Sequence, residues 1–341
     1  MVTGATGFVG TYLVDQLVKE GVDVLATGRS AIGQSHYEKM GTPFLKLDVT
    51  KEKDFEKLPK NIDAIVHLAA LLRIDMWSAK DYLVTNALGT YNVLEYCRKN
   101  NVKKIVYSMT HSDIDGTKDL IITENTPREF GGEAAPFTVS KIAACHFVES
   151  YTREYGIQGT ILRLPGIRGY GSRSVGFKDG KPIEAAYHKF IRRALEGKSI
   201  EIWGHSNAKR DMTYVKDIVG GIICALNREH AVGLYNIGTG KGVTIEDEAK
   251  AIINVFSPPG NPSEIIYRPD IEGIRRKSFI YDISKAKKDL GYYPKFSCED
   301  ALKDYKKEME IGRFNHLLLQ QDEILRNKYG ITLKDVFDAD Q

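Results

Sequence analysis

Thr3-Gly4-Ala5-Thr6-Gly7-Phe8-Val9-Gly10 opens the chain with a glycine at every third position. Between a strand and a helix, a G-x-x-G-x-x-G turn cradles the pyrophosphate of a dinucleotide. Gly4 permits the tight turn, Gly7 lets backbone approach the phosphates, and Gly10 lets the helix close on the strand. The helix N-terminus supplies N–H donors and positive potential. Turns of every kind use glycine, so the motif draws its weight from the strand before it and the helix after it. The chemistry implied is binding of NAD or NADP. The second strand should then end on the residue that meets the adenosine ribose, a carboxylate for the free 2′-hydroxyl of NAD or an arginine for the 2′-phosphate of NADP. Thr27-Gly28-Arg29-Ser30 offers no carboxylate. Arg29 and Ser30 lean toward NADP, against the plainer reading of a solvent-facing arginine after a turn glycine. Asp48, beside Val49 at the end of the third strand, is placed either to accept from the adenine amino group or to cap the next helix.

These residues sit at the junctions of a regular pattern. Short apolar runs at 1–3, 23–27, 44–47, 64–68, 104–109 and 159–164 alternate with helical stretches near 8–20, 52–58, 81–100 and 138–155. In the last of these, apolar residues at 139, 142, 143, 147 and 151 share one face. The alternation predicts βαβ units and an α/β fold, a doubly wound parallel sheet of Rossmann type. Such a sheet binds ligands beyond the carboxyl ends of its strands. The five glycines of 165–182 predict a substrate-side loop. A helix at 184–196, a strand near 199–203, a helix from Val215 and a strand end at Tyr235-Asn236-Ile237-Gly238 follow. Helices and short strands mix over 243–312, and 313–341 is charged, helical in pattern and without an assigned role. The first strand is so short that a segment upstream of Met1 is expected.

Composition narrows the function. The 341 residues carry 48 basic and 45 acidic side chains for a net charge of +3, with no long block of one sign. Neither a nucleic-acid nor a membrane partner is therefore expected. Basic clusters such as Lys103-Lys104 and Arg275-Arg276-Lys277 read as solvated faces or phosphate contacts. No apolar run reaches about 18 residues, and no signal peptide is evident. Cys97, Cys145, Cys224 and Cys298 are far apart and form no C-x-x-C. They read as reduced structural residues of a cytoplasmic protein, and no metal is expected.

Further motifs recur in order. They are Asp63-Ala64-Ile65-Val66-His67-Leu68-Ala69-Ala70, Asn86-Ala87-Leu88-Gly89-Thr90-Tyr91-Asn92-Val93-Leu94-Glu95, the run Pro136 to Lys141, Lys209-Arg210-Asp211-Met212-Thr213-Tyr214-Val215-Lys216-Asp217, Tyr235-Asn236-Ile237-Gly238 and Asp282-Ile283-Ser284-Lys285-Ala286. Over about 1–305 the chain resembles the extended short-chain dehydrogenase/reductases, and more narrowly the NAD-dependent epimerase/dehydratases of nucleotide sugars. The resemblance implies that Leu68, Ala69 and Ala70 line the cofactor and that Asn86 braces them. His67 reads as a core histidine. Thr110 falls at the catalytic Ser/Thr position, although a plain strand-end threonine is the alternative. Arg163 and Pro165-Gly166 fall where the family's loop covers the nicotinamide. Arg210 would bind the nucleotide diphosphate, with a salt bridge to Asp211 as its plainer role, and Arg268 and Arg275 are weaker phosphate candidates. Lys141 matches the lysine of the family's Tyr-x-x-x-Lys pair, which would hold the nicotinamide ribose and lower the tyrosine pKa.

The tyrosine of that pair is absent. Phe137 keeps its shape but cannot exchange a proton, a loss worth about 10²–10⁴-fold in rate. An engineered Tyr→Phe change, a takeover by His111, Asp113 or Glu133, or binding without turnover would each account for it. The acidic pair that dehydratases place after the catalytic Thr is also missing, since Thr110 is followed by His111-Ser112-Asp113. The reading is therefore a nucleotide-sugar 4-epimerase, impaired by Phe137. The alternatives are an NADP-dependent 4-ketoreductase and a non-catalytic dinucleotide sensor. A cofactor domain of 1–165 with about 210–240 is expected, joined to a smaller C-terminal α/β substrate domain of about 166–209 and 241–341. The resemblance also implies a homodimer built on helices like 81–100 and 138–155.

Overall fold

The computed structural model describes residues 1–72, 77–128, 135–178, 180–204, 207–271 and 277–339. Seven parallel strands form the central sheet, in the order Gly233–Asn236, Gln158–Leu164, Lys104–Thr110, Ala64–His67, Val2–Thr3, Ala26–Gly28, Phe44–Lys46. The chain winds outward from Val2–Thr3 to one edge, then returns to the other side of that strand. This reversal opens a crevice beyond the carboxyl end of Val2–Thr3. Register places Thr3 between Thr27 and His67, so the glycine turn emerges between the ends of two neighbouring strands. Helices cover both faces, which explains why the strand residues Ile65, Val66, Ile105, Val106, Ile161 and Leu162 are all buried.

Two apolar cores flank the sheet. Leu13, Val14 and Leu17 of helix Phe8–Lys19 pack in one with Ile218 and Ile222 of helix Val215–Leu226. Val93, Leu94 and Cys97 of helix Gly89–Lys99 meet Ile142, Cys145 and Val148 of helix Pro136–Tyr155 in the other. Proline in the first turn starts the long helix Pro136–Tyr155, and Gly156, at φ 67°, ends it. The helical stretch expected at 81–100 is divided. A turn at Ala79–Tyr82, capped by Ser78 and Asp81, runs into a π-helical Leu83–Leu88 before the regular helix begins.

Several expectations need correction. The strand placed at 23–27 is Ala26–Gly28, and a helix at Ala31–Met40 follows it where none was expected. That helix buries only Gly33 and Tyr37, too few side chains to leave an apolar period. The stretch 165–182 is not all loop. It contains strand Gly166–Arg168, paired with Met212–Tyr214, and most of the hairpin Val175–Lys178/Lys181–Glu184. Lys104 is neither solvated nor a phosphate contact. It is buried, and its Nζ donates to the carbonyl of Leu226 at 2.8 Å and to that of Arg228, neutralising the end of helix Val215–Leu226.

The smaller C-terminal α/β part includes strand Ile200–Trp203 paired with Ile265–Arg268, and helices Ala186–Leu195, Ile245–Phe256 and Cys298–Ile311. The unassigned tail forms helices Asn315–Tyr329 and Leu333–Asp338.

Candidate active site

A cavity of about 490 Å³ occupies the crevice. Gly4, Thr6, Gly7, Phe8, Arg29, Ser30, Val49, Leu68, Ala69 and Ala70 line it, ten of the residues singled out from sequence. Sterics explain the glycines. A Cβ on Gly4, where φ is 68°, would stand 2.6 Å from the Ala69 nitrogen. A Cβ on Gly10 would stand 2.3 Å from the Gly4 carbonyl oxygen and 2.7 Å from the Ala5 Cα. Gly7 differs, because only the Gly4 oxygen, at 3.2 Å, would come near its Cβ. Gly7 is also the N-cap of helix Phe8–Lys19, and that helix has no acidic residue in its first turn. Bare N–H donors facing an open, glycine-walled cavity suit an anionic pyrophosphate.

At the adenosine end, Arg29 is exposed and lines the cavity, whereas Ser30 accepts from the Gly33 amide at 3.1 Å and caps helix Ala31–Met40. Asp48 neither lines the cavity nor caps the next helix, Glu52–Phe55, whose N-cap is Lys51 without a side-chain bond. Its Oδ1 accepts from the Thr50 amide and hydroxyl at 3.1 and 2.8 Å.

Asn86 is buried in the π-helical turn, where a widened helix often marks a functional position. Its Oδ1 accepts from the Leu71 amide at 2.8 Å, and its Nδ2 donates to the Leu71 carbonyl and to Ser140 Oγ. It thus clamps the segment after Ala70 onto helix Pro136–Tyr155. His67 is fully buried between the hydroxyls of Thr3 and Thr90, and burial holds its pKa down to about 3. It is the neutral core histidine that the sequence suggests.

Lys141 is 4% exposed. Its Nζ lies 4.3 Å from the centroid of the Tyr107 ring, and burial lowers its pKa to about 7. Phe137, one helical turn earlier, is buried with Leu71 and Tyr82, and the Tyr82 ring meets it edge-on at 5.7 Å. A phenol therefore stands beside Phe137, but its hydroxyl donates to the Leu72 carbonyl at 3.2 Å. Thr110 ends strand Lys104–Thr110, and its Oγ1 accepts from the Ser112 amide at 3.2 Å.

Of the residues considered as replacement proton donors, Asp113 is locked away. Its Oδ2 binds Arg163 at 2.8 Å with both side chains buried. Arg163 itself also donates to the Thr123 carbonyl and Asn236 Oδ1, so it belongs to the interior and not to a loop over the nicotinamide. His111 stacks on Phe279 at 5.4 Å, and the Arg210 guanidinium lies 4.8 Å from that ring. Phe279, which sequence reasoning missed, thereby gathers Arg210 toward His111. Arg210 does not pair with Asp211, whose buried carboxylate accepts from the amides of Thr239 and Gly240. Arg268 is a poor phosphate ligand, since its guanidinium is held by Asp270 at 3.0 and 3.1 Å. Glu133 and Arg275 lie outside the described residues. Of the residues expected at the site, Val9, Gly10, Asp48, Asn86, Thr110, Phe137, Lys141, Pro165 and Arg210 do not line the cavity.

A second cavity of about 230 Å³ adjoins Arg168, Ser172, Arg173 and His188. Arg173 lines both cavities. Trp77, and Leu317, Gln320, Gln321 and Ile324 from the tail, also line the first. Nothing local in those tail residues marks them as part of a site.

A parallel sheet that reverses at its first strand, with a glycine-walled cavity at that point and a buried lysine on helix Pro136–Tyr155, fits an α/β enzyme of the short-chain dehydrogenase/reductase type. The chain belongs to the NAD dependent epimerase/dehydratase family, whose model matches residues 1–238. A putative UDP-glucose 4-epimerase of Methanocaldococcus jannaschii is 30% identical over 310 residues, covering 89% of this chain and 95% of that one. Among solved structures, UDP-glucose 4-epimerase with UDP-glucose from Thermotoga maritima aligns at a TM-score of 0.77 with 28% identity, over 91% and 98% of the two chains. UDP-glucuronic acid 4-epimerase from Bacillus cereus, in complex with NAD, aligns at 0.73 with 26% identity, over 91% and 97%.

Proposed function

We propose that the chain is a nucleotide-sugar 4-epimerase scaffold, acting on a UDP-hexose or a similar substrate, with turnover restrained by Phe137. The observation that carries this reading is the buried Lys141 one helical turn beyond Phe137, which itself packs on Leu71 in the wall of the glycine-lined cavity. NAD, when bound, supplies a hydride acceptor that can return the hydride. Gly4, Gly7 and the first turn of helix Phe8–Lys19 hold the pyrophosphate, with Leu68, Ala69 and Ala70 along the inner wall. Lys141 holds the nicotinamide ribose, and Thr110 bonds the reacting sugar oxygen. Arg210 meets the diphosphate, and the second cavity, joined to the first through Arg173, receives the rest of the nucleotide sugar. Oxidation at the sugar carbon releases a hydroxyl proton, and return of the hydride to the opposite face takes one up. Phe137 occupies the position from which a phenol would relay that proton, and it has none to give.

Phe137→Tyr tests the assignment. The phenol should raise kcat for interconversion of UDP-hexoses by about 10²–10⁴-fold with little change in KM. The gain should vanish in the Phe137→Tyr/Lys141→Met double variant. A parent protein that already turns over at ordinary enzyme rates, unimproved by tyrosine, would overturn the catalytic assignment.

For the cofactor, exposed Arg29 and the absence of a carboxylate at 27–30 support acceptance of a 2′-phosphate. Titration calorimetry should find that Arg29→Ala loses more affinity for NADP than for NAD. Equal losses would return Arg29 to the surface. The same reading assigns residues 1–165 and about 210–240 to the cofactor domain, and 166–209 with much of the remainder to the substrate. It makes the protein a homodimer and places it in the cytoplasm. The free cysteines agree with a reducing compartment, and no helix among the described residues is long and apolar enough to cross a membrane.

A further inference from the structure

The tail beyond Gly312 plays no part in the reaction as drawn, yet it forms one side of the cofactor cavity. Phe314 is fully buried against Tyr12 of the first helix, with ring centroids 4.1 Å apart. His316 stacks on His36 of helix Ala31–Met40 at 3.7 Å. Leu317 packs so closely on Gly171 that a Cβ there would stand 2.6 Å from its Cδ1. From this anchored base, Gln320 Nε2 donates to the Thr6 carbonyl inside the glycine turn at 3.1 Å. Gln321 donates to the carbonyls of Gly171 and Ser172 at 3.3 and 3.2 Å and accepts from the Ser174 amide at 2.8 Å. The helix therefore spans the glycine turn, the helix at the adenosine end and the 170–177 segment at once.

The contacts suit a wall more than a plug. With the helix docked, the cavity still measures about 490 Å³ and is still lined by Gly7, Arg29 and Ala69. Gln320 takes a carbonyl of the turn and not one of the amide donors a phosphate would need.

We propose that helix Asn315–Tyr329 is a cofactor-retaining wall. NAD(P) on the glycine turn is enclosed by Leu317, Gln320 and Ile324, and it leaves only when the helix undocks. This rests on reading the cavity as the dinucleotide site. It also separates two reactions. An epimerase takes a hydride from a sugar carbon and returns it, so its cofactor ends each cycle as it began and needs no exchange. A reductase consumes one hydride per turnover and must release the spent dinucleotide. A wall that retains cofactor fits the self-contained cycle.

The test is the rate at which bound NAD⁺ or NADP⁺ is displaced by excess of a fluorescent adenine-modified analogue, followed by stopped flow. Gln320→Ala/Gln321→Ala in the full chain removes four hydrogen bonds and should speed release at least about tenfold. A chain ending after Gly312 should release faster still. If that chain does not fold, the double variant alone decides. Release from the double variant at the parent rate overturns the wall. Gly7→Val, measured alongside, checks the reading beneath it, because normal NAD⁺ binding by that variant would remove the site itself. Loss of binding in Gly7→Val together with unchanged release from the double variant would remove the wall only.

Discussion

Lys141 shows how one residue carries both a cost and a use. An ammonium that is 4% exposed, facing an aromatic ring, has lost most of its hydration, and burial brings its pKa from 10.5 to about 7. The unfolded chain keeps the ordinary value, so between pH 7 and about 10.5 it binds more protons than the folded protein at this site. Stability of the cofactor-free protein should consequently rise with pH across that window, while below pH 7 the penalty is constant. Lys141→Met should flatten that rise and stabilise the protein below pH 7. Urea unfolding at intervals from pH 6 to 10 measures both, and an unaltered profile in the variant would mean the lysine is well solvated. In the reaction the same desolvated charge is what would draw a phenol at position 137 toward ionisation. The Phe137–Lys141 relation was legible as an i, i+4 spacing, because helical periodicity alone puts the two side chains on one face. The fates of Arg163 and Arg268 were not legible. Arg163 was expected near the nicotinamide and Arg268 on a phosphate, but Arg163 is spent on Asp113 fifty residues away and Arg268 on its near neighbour Asp270.

Among the elements, the first strand, turn and helix are the most tightly determined. The helix can reach the strand only because Gly10 has no side chain, since any Cβ would fall 2.3 Å from the Gly4 oxygen and 2.7 Å from the Ala5 Cα, both backbone atoms that cannot swing aside. Gly10→Ala should therefore destabilise the fold by about 1–3 kcal/mol and weaken dinucleotide binding as the turn is displaced. Denaturant unfolding with and without NAD checks this, and a variant as stable as the parent would mean the turn accommodates a methyl. Helix Ala31–Met40 is the opposite case. It is held by the Ser30 cap and by Gly41 in the left-handed conformation, at φ 68°, two local signals set between residues of no apolar rhythm.

For the whole molecule, we propose self-association through one exposed helical face. Leu83, Leu88, Val139 and Phe147 are large apolar side chains left 38–55% exposed along 83–99 and 136–155, and the rings of Tyr91 and Phe147 meet across the helix pair, tilted, at 5.9 Å. Two such pairs meeting about a two-fold axis would bury this surface. Light scattering should report a dimer for the parent and a monomer for Phe147→Glu. A monomeric parent would leave the helix face to another use.

The sequence by itself determined what depends on local sterics and short periods. The glycine turn follows from close approach of backbone, the parallel sheet from fully apolar strand runs alternating with helices, and the lysine's position from the helical repeat. Only the tertiary structure decided which charged groups face the cavity and which are consumed in the interior. It also joined His111 and Arg210 through Phe279. It gave the tail its place, for Gln320 meets Thr6 across 314 residues of chain. No spacing rule reaches that far, because such a contact is chosen by the packing of Phe314, Leu317 and Leu325 against surfaces assembled from distant segments.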